Sequence, residues 1–310
     1  MRNFIVSDLH GNGAVYDSII NYLENLYNEG EDVTLYINGD LIDKGPDTVR
    51  MFMDVKDRIE NKRSFNIVYL GGNHELMMYQ VGTLKNPVYM KETKWYKENG
   101  GEETVKSFND NVPRERMDEI LSFISNLKLY HKFEEKINGK NIVLVHAKCP
   151  EEVHDICNLR IKDDSELVDD IVWSRRENYE DRIGNKDYFT IIGHDPLINR
   201  YGYLYFKDQN YMDIDGGCAN YACGDDRYDH VALVEILDNS LRILTFNNNN
   251  EIIFGNKFEI APFNNDEIEG RSTSIEQSAL EEDRNRLVKA KTKKISNIRI
   301  VSWLLLFFLL

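Results

Sequence analysis

Residues 1–12 read MRNFIVSDLHGN, an apolar run followed by a polar cluster and a glycine. The run at residues 4–6 predicts a short buried strand. Asp8 and His10 are two residues apart, so at a strand end their side chains are expected to project to the same side. Taken alone, such a pair fits a polar strand end as well as a ligand pair, and the rest of the chain has to decide between them.

Two further apolar runs also end in polar clusters. Residues 33–37 lead into NGDLIDKGP at 38–46, and residues 65–70 lead into GGNHE at 71–75, with helical spacing after each cluster. Three successive strand–helix units predict a parallel sheet with right-handed crossovers. The three polar clusters are then expected at one edge of that sheet, where open α/β sheets hold their ligands.

The remaining sequence predicts a helical insertion and a second sheet. Residues 82–128 are mostly polar with helical spacing, which predicts eight buried positions: Trp95, Tyr96, Val105, Phe108, Ile120, Leu121, Phe123 and Ile124. An Asn-Gly pair between two later apolar runs indicates a hairpin whose second strand delivers His146. Another strand ends at His194, and a strand-rich stretch follows it. We therefore expect an α/β fold in a single domain over residues 1–262, with the second sheet packed on the first.

The composition changes after residue 262. Residues 263–297 are polar and are predicted to be a linker that is either disordered or a loose helix. Residues 298–310 form a short apolar tail that follows several lysines. This tail is shorter than the roughly 20 residues that a membrane-spanning helix needs. Peripheral contact with an anionic membrane surface is one expectation, and packing on the protein or on another subunit is the alternative.

Composition limits the classes of partner. The net charge of −15, from 38 basic and 53 acidic residues, argues against a nucleic-acid partner, because phosphate backbones bind to basic faces. The four cysteines form no CxxC pair, and the chain enters a strand at once without a secretion signal. These features predict reduced thiols in a cytoplasmic protein.

Six side chains at the predicted strand ends have the donor types of a divalent metal site: Asp8, His10, Asp40, Asn73, His146 and His194. Carboxylate, imidazole and amide donors suit Mn, Fe or Zn, and the lack of cysteine argues against a structural zinc site. The set is too large for one open ion and large enough for two ions that share a bridging carboxylate. Such a centre activates water and neutralises phosphoryl charge, which predicts phosphoester hydrolysis.

Hydrolysis of a phosphoester has two further requirements. The leaving oxygen has to be protonated, and His74 is placed for this task with Asp43 as its expected carboxylate partner. The phosphate oxygens have to be held, and Lys44 together with Arg175 or Arg176 is suited to hold them. The two arginines fit a solvated surface pair equally well.

Five sequence blocks occur in the order found in calcineurin-like metallophosphoesterases, namely SDLHGN at 7–12, GDLIDKGP at 39–46, GNHE at 72–75, VHA at 145–147 and GHDP at 193–196. The chain resembles this family over roughly residues 1–250. It looks most like the bacterial phosphoprotein phosphatase type, because of Glu75, the Asn-Gly-Gly at 99–101 with Thr104, and the DGGC at 215–218.

The resemblance implies a four-layer sandwich of two mixed β-sheets flanked by helices. It also implies two ligand sets, Asp8, His10 and Asp40 for one ion and Asp40, Asn73, His146 and His194 for the other. His74 would be the general acid, oriented by Asp43. The family usually has arginine at the position of Lys44, whose point charge lacks the two-pronged guanidinium.

The resemblance leads us to expect metal-dependent hydrolysis of phosphate monoesters, with manganese first among the candidate metals and phosphoserine or phosphothreonine in proteins as substrate. The alternative is hydrolysis of dinucleoside polyphosphates such as diadenosine tetraphosphate at the same centre. A third hypothesis is a catalytically silent protein that binds phosphorylated partners. It is disfavoured because every ligand position and His74 are present.

Overall fold

The structure is a computed structural model, and it describes residues 1–150, 158–163, 165–175, 187–197, 203–206, 210–222, 230–246 and 252–254. Its strands, in chain order, are β1 (Arg2–Val6), β2 (Val33–Asn38), β3 (Asn66–Leu70), β4 (Tyr130–Ile137), β5 (Lys140–Val145), β6 (Tyr188–Ile192), β7 (Leu204–Phe206), β8 (Tyr211–Asp213), β9 (Val231–Leu237), β10 (Ser240–Phe246) and β11 (Ile252–Phe254). Its α-helices are α1 (Gly13–Asn28), α2 (Thr48–Asn61), α3 (Asn73–Thr83), α4 (Pro87–Met90), α5 (Lys94–Glu98), α6 (Gly101–Asn111), α7 (Met117–Ser125), α8 (Glu166–Trp173) and α9 (Cys218–Ala222).

The first sheet has six strands in the order β11-β10-β9-β1-β2-β3. Strands β1, β2 and β3 pair in parallel, with α1 and α2 as the crossovers, as the three strand–helix units predict. Strand β1 pairs antiparallel with β9, which makes the sheet mixed. Residues Val33–Asn38 of β2 are all buried, in keeping with a strand that is covered on both faces.

The second sheet has five strands in the order β4-β5-β6-β8-β7. The predicted hairpin joins β4 and β5, and both turn residues have positive φ, 51° at Asn138 and 77° at Gly139. This is the backbone that a two-residue turn needs to match the twist of its strands. The strands β5, β6 and β8 then pair in parallel, so that His146 and His194 follow neighbouring strand ends.

The two sheets contact each other through β2 on one side and β4 and β5 on the other. The ring of Tyr36 lies 4.6 Å from that of His131 and 4.7 Å from that of Phe133, measured between centroids. At the end of β2, the Asn38 side chain donates to the Val145 carbonyl at 2.9 Å. These contacts bring the carboxyl ends of β2 and β5 together, and the predicted α/β fold with two mixed sheets flanked by helices is confirmed.

Between residues 82 and 128 the structure has four α-helices, α4 to α7, and a 3-10 turn at Arg114–Arg116. Trp95 and Phe108 are buried, as helical spacing predicts. Tyr96, Val105 and Phe123, for which burial was also predicted, are only partly buried, so those three expectations are wrong. Helix α3 begins at Asn73, three residues earlier than its apolar spacing suggests, and this places Asn73 and His74 in its first turn.

The chain divides into two units, Met1–Pro262 and Phe263–Leu310. The second unit lies outside the described residues, so the linker at 263–297 and the apolar tail at 298–310 stay predictions. Among the helices of the described ranges, none has the combined length and apolar character that a bilayer crossing requires.

Candidate metal centre

The loop after β1 places Asp8 and His10 by a turn of the backbone. Strand β1 ends at Val6, and both residues have left-handed φ values, 56° and 45°. The prediction that strand alternation orients these two side chains is therefore wrong, because both residues lie in a turn beyond the end of the strand. Gly11 completes the turn with a φ of 65°, and a Cβ atom there would lie 2.6 Å from the carbonyl oxygen of Gly45. Only glycine fits this close approach of two loops.

Positive φ values recur around the same edge of the molecule. Non-glycine residues seldom adopt this region, and each one costs free energy that the surrounding structure has to offset. Besides Asp8 and His10, four more of the predicted site residues adopt it: Asp40, Asp43, Lys44 and His194. Such clustering of strained backbone is typical of a functional site.

Asp40 is the residue that two groups of potential metal donors share. One group consists of His10, Asp40 and His74, and the other of Asp40, His146 and His194, and all of these residues are buried. The carboxylate of Asp40 lies 3.5 Å from His10 Nε2 through Oδ2 and 3.4 Å from His146 Nε2 through Oδ1. One oxygen of Asp40 therefore faces each group, as a bridging ligand requires.

Neither group of three includes Asn73 or Asp8, the other two predicted ligands, and both residues form hydrogen bonds with members of the second group. The Oδ1 atom of Asn73 is 3.0 Å from His146 Nε2 and also 3.0 Å from His194 Nδ1. Asp8 Oδ2 accepts from the Ser7 hydroxyl and, at 3.0 Å, from the His194 amide. Asp8 Oδ1 is buried and has no hydrogen-bond partner within the described part of the chain. A buried carboxylate oxygen left in this way fits a cation.

Two of the imidazoles are oriented by backbone carbonyls. The Nδ1 atom of His10 lies 2.9 Å from the Ile42 carbonyl, and that of His146 lies 2.8 Å from the Asn38 carbonyl. Because a carbonyl only accepts, Nδ1 carries the proton in both rings and Nε2 is left facing Asp40. Histidines that ligate metals are usually held in this way.

The charges of the cluster depend on one another. Burial raises the pKa of Asp8 to about 7. Burial alone would lower the pKa of His146, but the carboxylates of Asp40 and Asp8 outweigh it and raise that pKa to about 10. Burial also disfavours the charged form of Asp40, yet His146 and His74 keep its pKa well below the usual range. The buried carboxylates therefore favour positive charge beside them, and together with the donor types this fits a pair of divalent cations.

Glu75 stabilises the loop that carries Asp40, and the sequence analysis did not predict this role. Its Oε2 atom accepts from the amides of Asp40 and Gly72, both at 2.8 Å. Its Oε1 atom accepts from the Leu41 amide at 3.0 Å and from the Tyr69 hydroxyl at 2.7 Å. The carboxylate thus ties the start of α3 to the loop that carries Asp40. An acidic residue at the third helical position after a glycine N-cap is the sequence signal that could have revealed this role.

Replacing Glu75 with alanine is expected to lower the free energy of unfolding by about 2–4 kcal/mol, because four buried donors lose their acceptor. Denaturant titration measures the loss. Glu103, an exposed residue in the first turn of α6, supplies the control, and its alanine variant should change stability by no more than about 0.5 kcal/mol. If the two variants lost equal stability, Glu75 would not have the supporting role.

His74 and Asp43 lie together as a pair. Nδ1 of His74 is 2.6 Å from Oδ2 of Asp43, and Nε2 of His74 is 3.7 Å from Oδ2 of Asp40. Asp43 is fully buried, and it also accepts hydrogen bonds from two residues of the helical insertion, Trp95 and Thr104. The imidazole therefore presents one nitrogen to the donor cluster and the other to an anchored carboxylate.

Two of the three predicted phosphate-binding residues are described. Lys44 Nζ lies 3.4 Å from His10 Nε2, at the edge of the cluster. Arg175 has a side chain that is 54% exposed, and its Nη1 donates to Asp195 Oδ1 at 3.1 Å. Asp195 follows His194 directly, so Arg175 lies at the rim of the site, in a pairing that the sequence did not predict. Arg176 lies outside the described residues.

One solved structure, aligned with a TM-score of 0.50, shows the fold, and two others are similar at lower scores. A protein serine/threonine phosphatase from Saccharomyces cerevisiae with similarity to human phosphatase PP5 aligns with a TM-score of 0.50 and 15% identity, covering 80% of each chain. A cold-active protein-tyrosine phosphatase of a psychrophile Shewanella species aligns with a TM-score of 0.46 and 14% identity, covering 81% of this chain and 78% of that one. A metallophosphoesterase from Sphaerobacter thermophilus aligns with a TM-score of 0.42 and 15% identity, covering 76% of this chain and 84% of that one.

Comparison of sequences identifies the family. No curated protein matches the chain significantly. The family model for calcineurin-like phosphoesterases matches residues 1–233, a range that contains every predicted ligand. The chain therefore belongs to the calcineurin-like phosphoesterases, hydrolases of phosphoester bonds that use a dinuclear centre of divalent metal ions.

Proposed function

We propose that the protein is a metal-dependent phosphomonoesterase that removes phosphate from phosphoserine and phosphothreonine in proteins. The observation that carries this proposal is the pair of donor groups that share Asp40, with the hydrogen-bonded pair of His74 and Asp43 directly beside them. Hydrolysis of phosphoesters follows from the family, and the choice of substrate is our inference.

Two sets of residues are proposed to hold the ions, one consisting of Asp8, His10 and Asp40 and the other of Asp40, Asn73, His146 and His194. Two divalent cations, when bound, activate a water molecule for in-line attack and neutralise charge on the phosphoryl group. The mixture of carboxylate, amide and imidazole donors supports manganese, with iron or zinc as alternatives.

His74 is proposed to protonate the leaving oxygen. Its Nδ1–H is directed at Asp43, so Nε2 is the nitrogen that can carry a proton to a substrate held at the cluster. The alkoxide of serine or threonine is a strong base and a poor leaving group, so it needs this proton in the transition state. A histidine held by a carboxylate therefore supports a substrate with an alkyl leaving group.

Lys44, Arg175 and Arg176 are proposed to hold the phosphate oxygens. Lys44 is suited to this because its ammonium group lies beside His10. Arg175 would have to exchange Asp195 for phosphate, and its exposed guanidinium is free to make that movement at the rim. Lysine in place of the usual arginine offers a point charge and no bidentate hydrogen bonding, which supports weaker binding of phosphate at this position.

We also propose a cytoplasmic location and phosphorylated proteins, not nucleic acids, as partners. Cys218 is a buried free thiol, which supports a reducing compartment. Cys157 and Cys223 lie outside the described residues. Contact of the tail at 298–310 with a membrane surface stays a prediction for the same reason.

The test is a substrate panel with the manganese-loaded protein. Phosphate release from phosphoserine and phosphothreonine peptides is expected to exceed release from a phosphotyrosine peptide and to stop when a chelator removes the metal. Faster cleavage of diadenosine tetraphosphate than of the peptides would favour the dinucleoside polyphosphate alternative. Stoichiometric metal binding without turnover of any substrate would favour the silent phospho-binding protein.

A further inference from the structure

The helical insertion contacts the buried carboxylate of Asp43, which is also hydrogen-bonded to His74, the proposed general acid. We propose that Trp95 and Thr104 are positioning residues for His74, and that they act by clamping Asp43. This inference rests on the proposed function, because it assigns to the insertion a part in protonation of the leaving oxygen. It also gives the Asn-Gly-Gly stretch at residues 99–101 a structural purpose.

Asp43 accepts a hydrogen bond from each of three side chains. Its Oδ2 atom accepts from His74 Nδ1 at 2.6 Å and from Trp95 Nε1 at 2.7 Å, and its Oδ1 atom accepts from the Thr104 hydroxyl. The backbone amide of Asp43 also donates to Thr104 Oγ1 at 3.1 Å. Asp43, Trp95 and Thr104 are all buried, so water does not compete for these bonds. The carboxylate group is therefore held at both oxygens and at its own backbone.

The chemistry of the indole group decides which way the protons point. An indole N–H donates and never accepts, so Trp95 can be satisfied only by an acceptor oxygen of Asp43. As an ionised carboxylate Asp43 only accepts, so the hydrogen on the bond to His74 belongs to Nδ1 of the imidazole. The ring of His74 is fixed further by an edge-on contact with His10, with centroids 4.6 Å apart. Nε2 is thus aimed at the metal-donor cluster.

The Asn-Gly-Gly stretch lets two helices approach Asp43 from one side. Gly100 has a φ of 81°, its carbonyl accepts from the Lys44 amide at 3.4 Å, and a Cβ atom on it would lie 2.6 Å from that amide nitrogen. A Cβ atom on Gly101 would lie 2.6 Å from the ring of Trp95. Larger residues would push α5 and α6 away from the loop that carries Asp43. The turn therefore places Trp95 and Thr104 within reach of the carboxylate.

The test compares leaving groups. Trp95→Phe keeps an aromatic ring and removes the N–H, and Thr104→Val keeps the shape and removes the hydroxyl. Each variant is expected to lose about tenfold in kcat on a phosphoserine peptide, where the alkoxide needs its proton. On p-nitrophenyl phosphate, whose weakly basic phenolate leaves unprotonated, the loss should be no more than about twofold. Thr104→Ser restores a hydroxyl group and should restore the ratio of the two activities.

Matched controls come from the same two helices. Tyr96→Phe on α5 and Ser107→Ala on α6 each remove a hydroxyl group that does not contact Asp43, and they should leave the ratio unchanged. Equal losses on both substrates in the Trp95 and Thr104 variants, or no loss at all, would overturn the inference. A wild-type protein that hydrolyses neither substrate would instead count against the proposed function.

A second measurement does not depend on activity. In protein labelled with ¹⁵N-tryptophan, the indole N–H resonance that disappears in Trp95→Phe belongs to Trp95. We expect this proton to exchange slowly with solvent and its resonance to shift in Asp43→Asn. Fast exchange and an unchanged position in Asp43→Asn would show that the bond is absent, and would overturn the inference whatever the substrate.

Discussion

Replacing Asp40 with asparagine is expected to abolish turnover and to release both metal ions while the fold remains. Asp40 is the residue common to the two donor groups, with one oxygen directed to each. Asparagine has nearly the same shape, but it lacks the negative charge and has only one acceptor oxygen. Because the two metal ions together stabilise the transition state by several kcal/mol, turnover should fall about a thousandfold or more.

Three measurements together check this expectation. Metal content after gel filtration should fall from two ions per chain toward zero, phosphate release should disappear, and the far-ultraviolet circular dichroism spectrum should stay as in the wild type. Asp118, on α7 with a side chain that is 75% exposed, supplies a matched control, and Asp118→Asn should behave as wild type. Retention of two ions with normal turnover in Asp40→Asn would refute the bridging role.

Replacing His74 with asparagine is expected to reduce kcat on a phosphoserine peptide by roughly 10²–10⁴-fold, the usual contribution of a general acid. The loss should be far smaller on p-nitrophenyl phosphate, whose leaving group does not need the proton. Metal content should stay at two ions per chain, because both proposed ligand sets remain complete.

The metal content of His74→Asn is the decisive part of that experiment, because the structure allows two roles for this residue. His74 belongs to one of the donor groups, with Nε2 3.7 Å from Asp40, and it is also paired with Asp43. Loss of one ion from the variant would make His74 a ligand and contradict its assignment as the acid. His131, which packs against Tyr36 and Phe133 away from the cluster, provides the control in His131→Asn.

The elements that could be predicted from the sequence are those encoded locally. Alternation of apolar runs with helical spacing predicted the parallel strands β1 to β3, and an Asn-Gly pair predicted the hairpin of β4 and β5. Strand ends of a parallel sheet meet at one edge, so Asp8, His10, Asp40 and Asn73 could be expected to lie near one another before any distance was measured. His146 and His194 follow strands of the second sheet, and only the resemblance to the family predicted that they join the other four. Even the pairing of His74 with Asp43 follows from two clusters at neighbouring strand ends.

Local patterns failed where the backbone leaves regular structure or where contacts join distant parts of the chain. Strand alternation gave the wrong reason for the orientation of Asp8 and His10, because left-handed turns place them. The bonds from Trp95 and Thr104 to Asp43 span 52 and 61 residues. Helical spacing marks Trp95 as buried without saying which polar atom its N–H will meet.

The sequence by itself thus determined the α/β class and the order of the strand–helix units, and it predicted the candidate donor side chains. The tertiary structure alone decided that Glu75 anchors the loop of Asp40, that Asp195 pairs with Arg175 and that Trp95 and Thr104 of the insertion bond to Asp43. The physical reason is the range of the interactions. Periodicity and turn chemistry act over a few neighbouring residues, whereas these contacts exist only after separate elements have packed and buried polar groups have found partners.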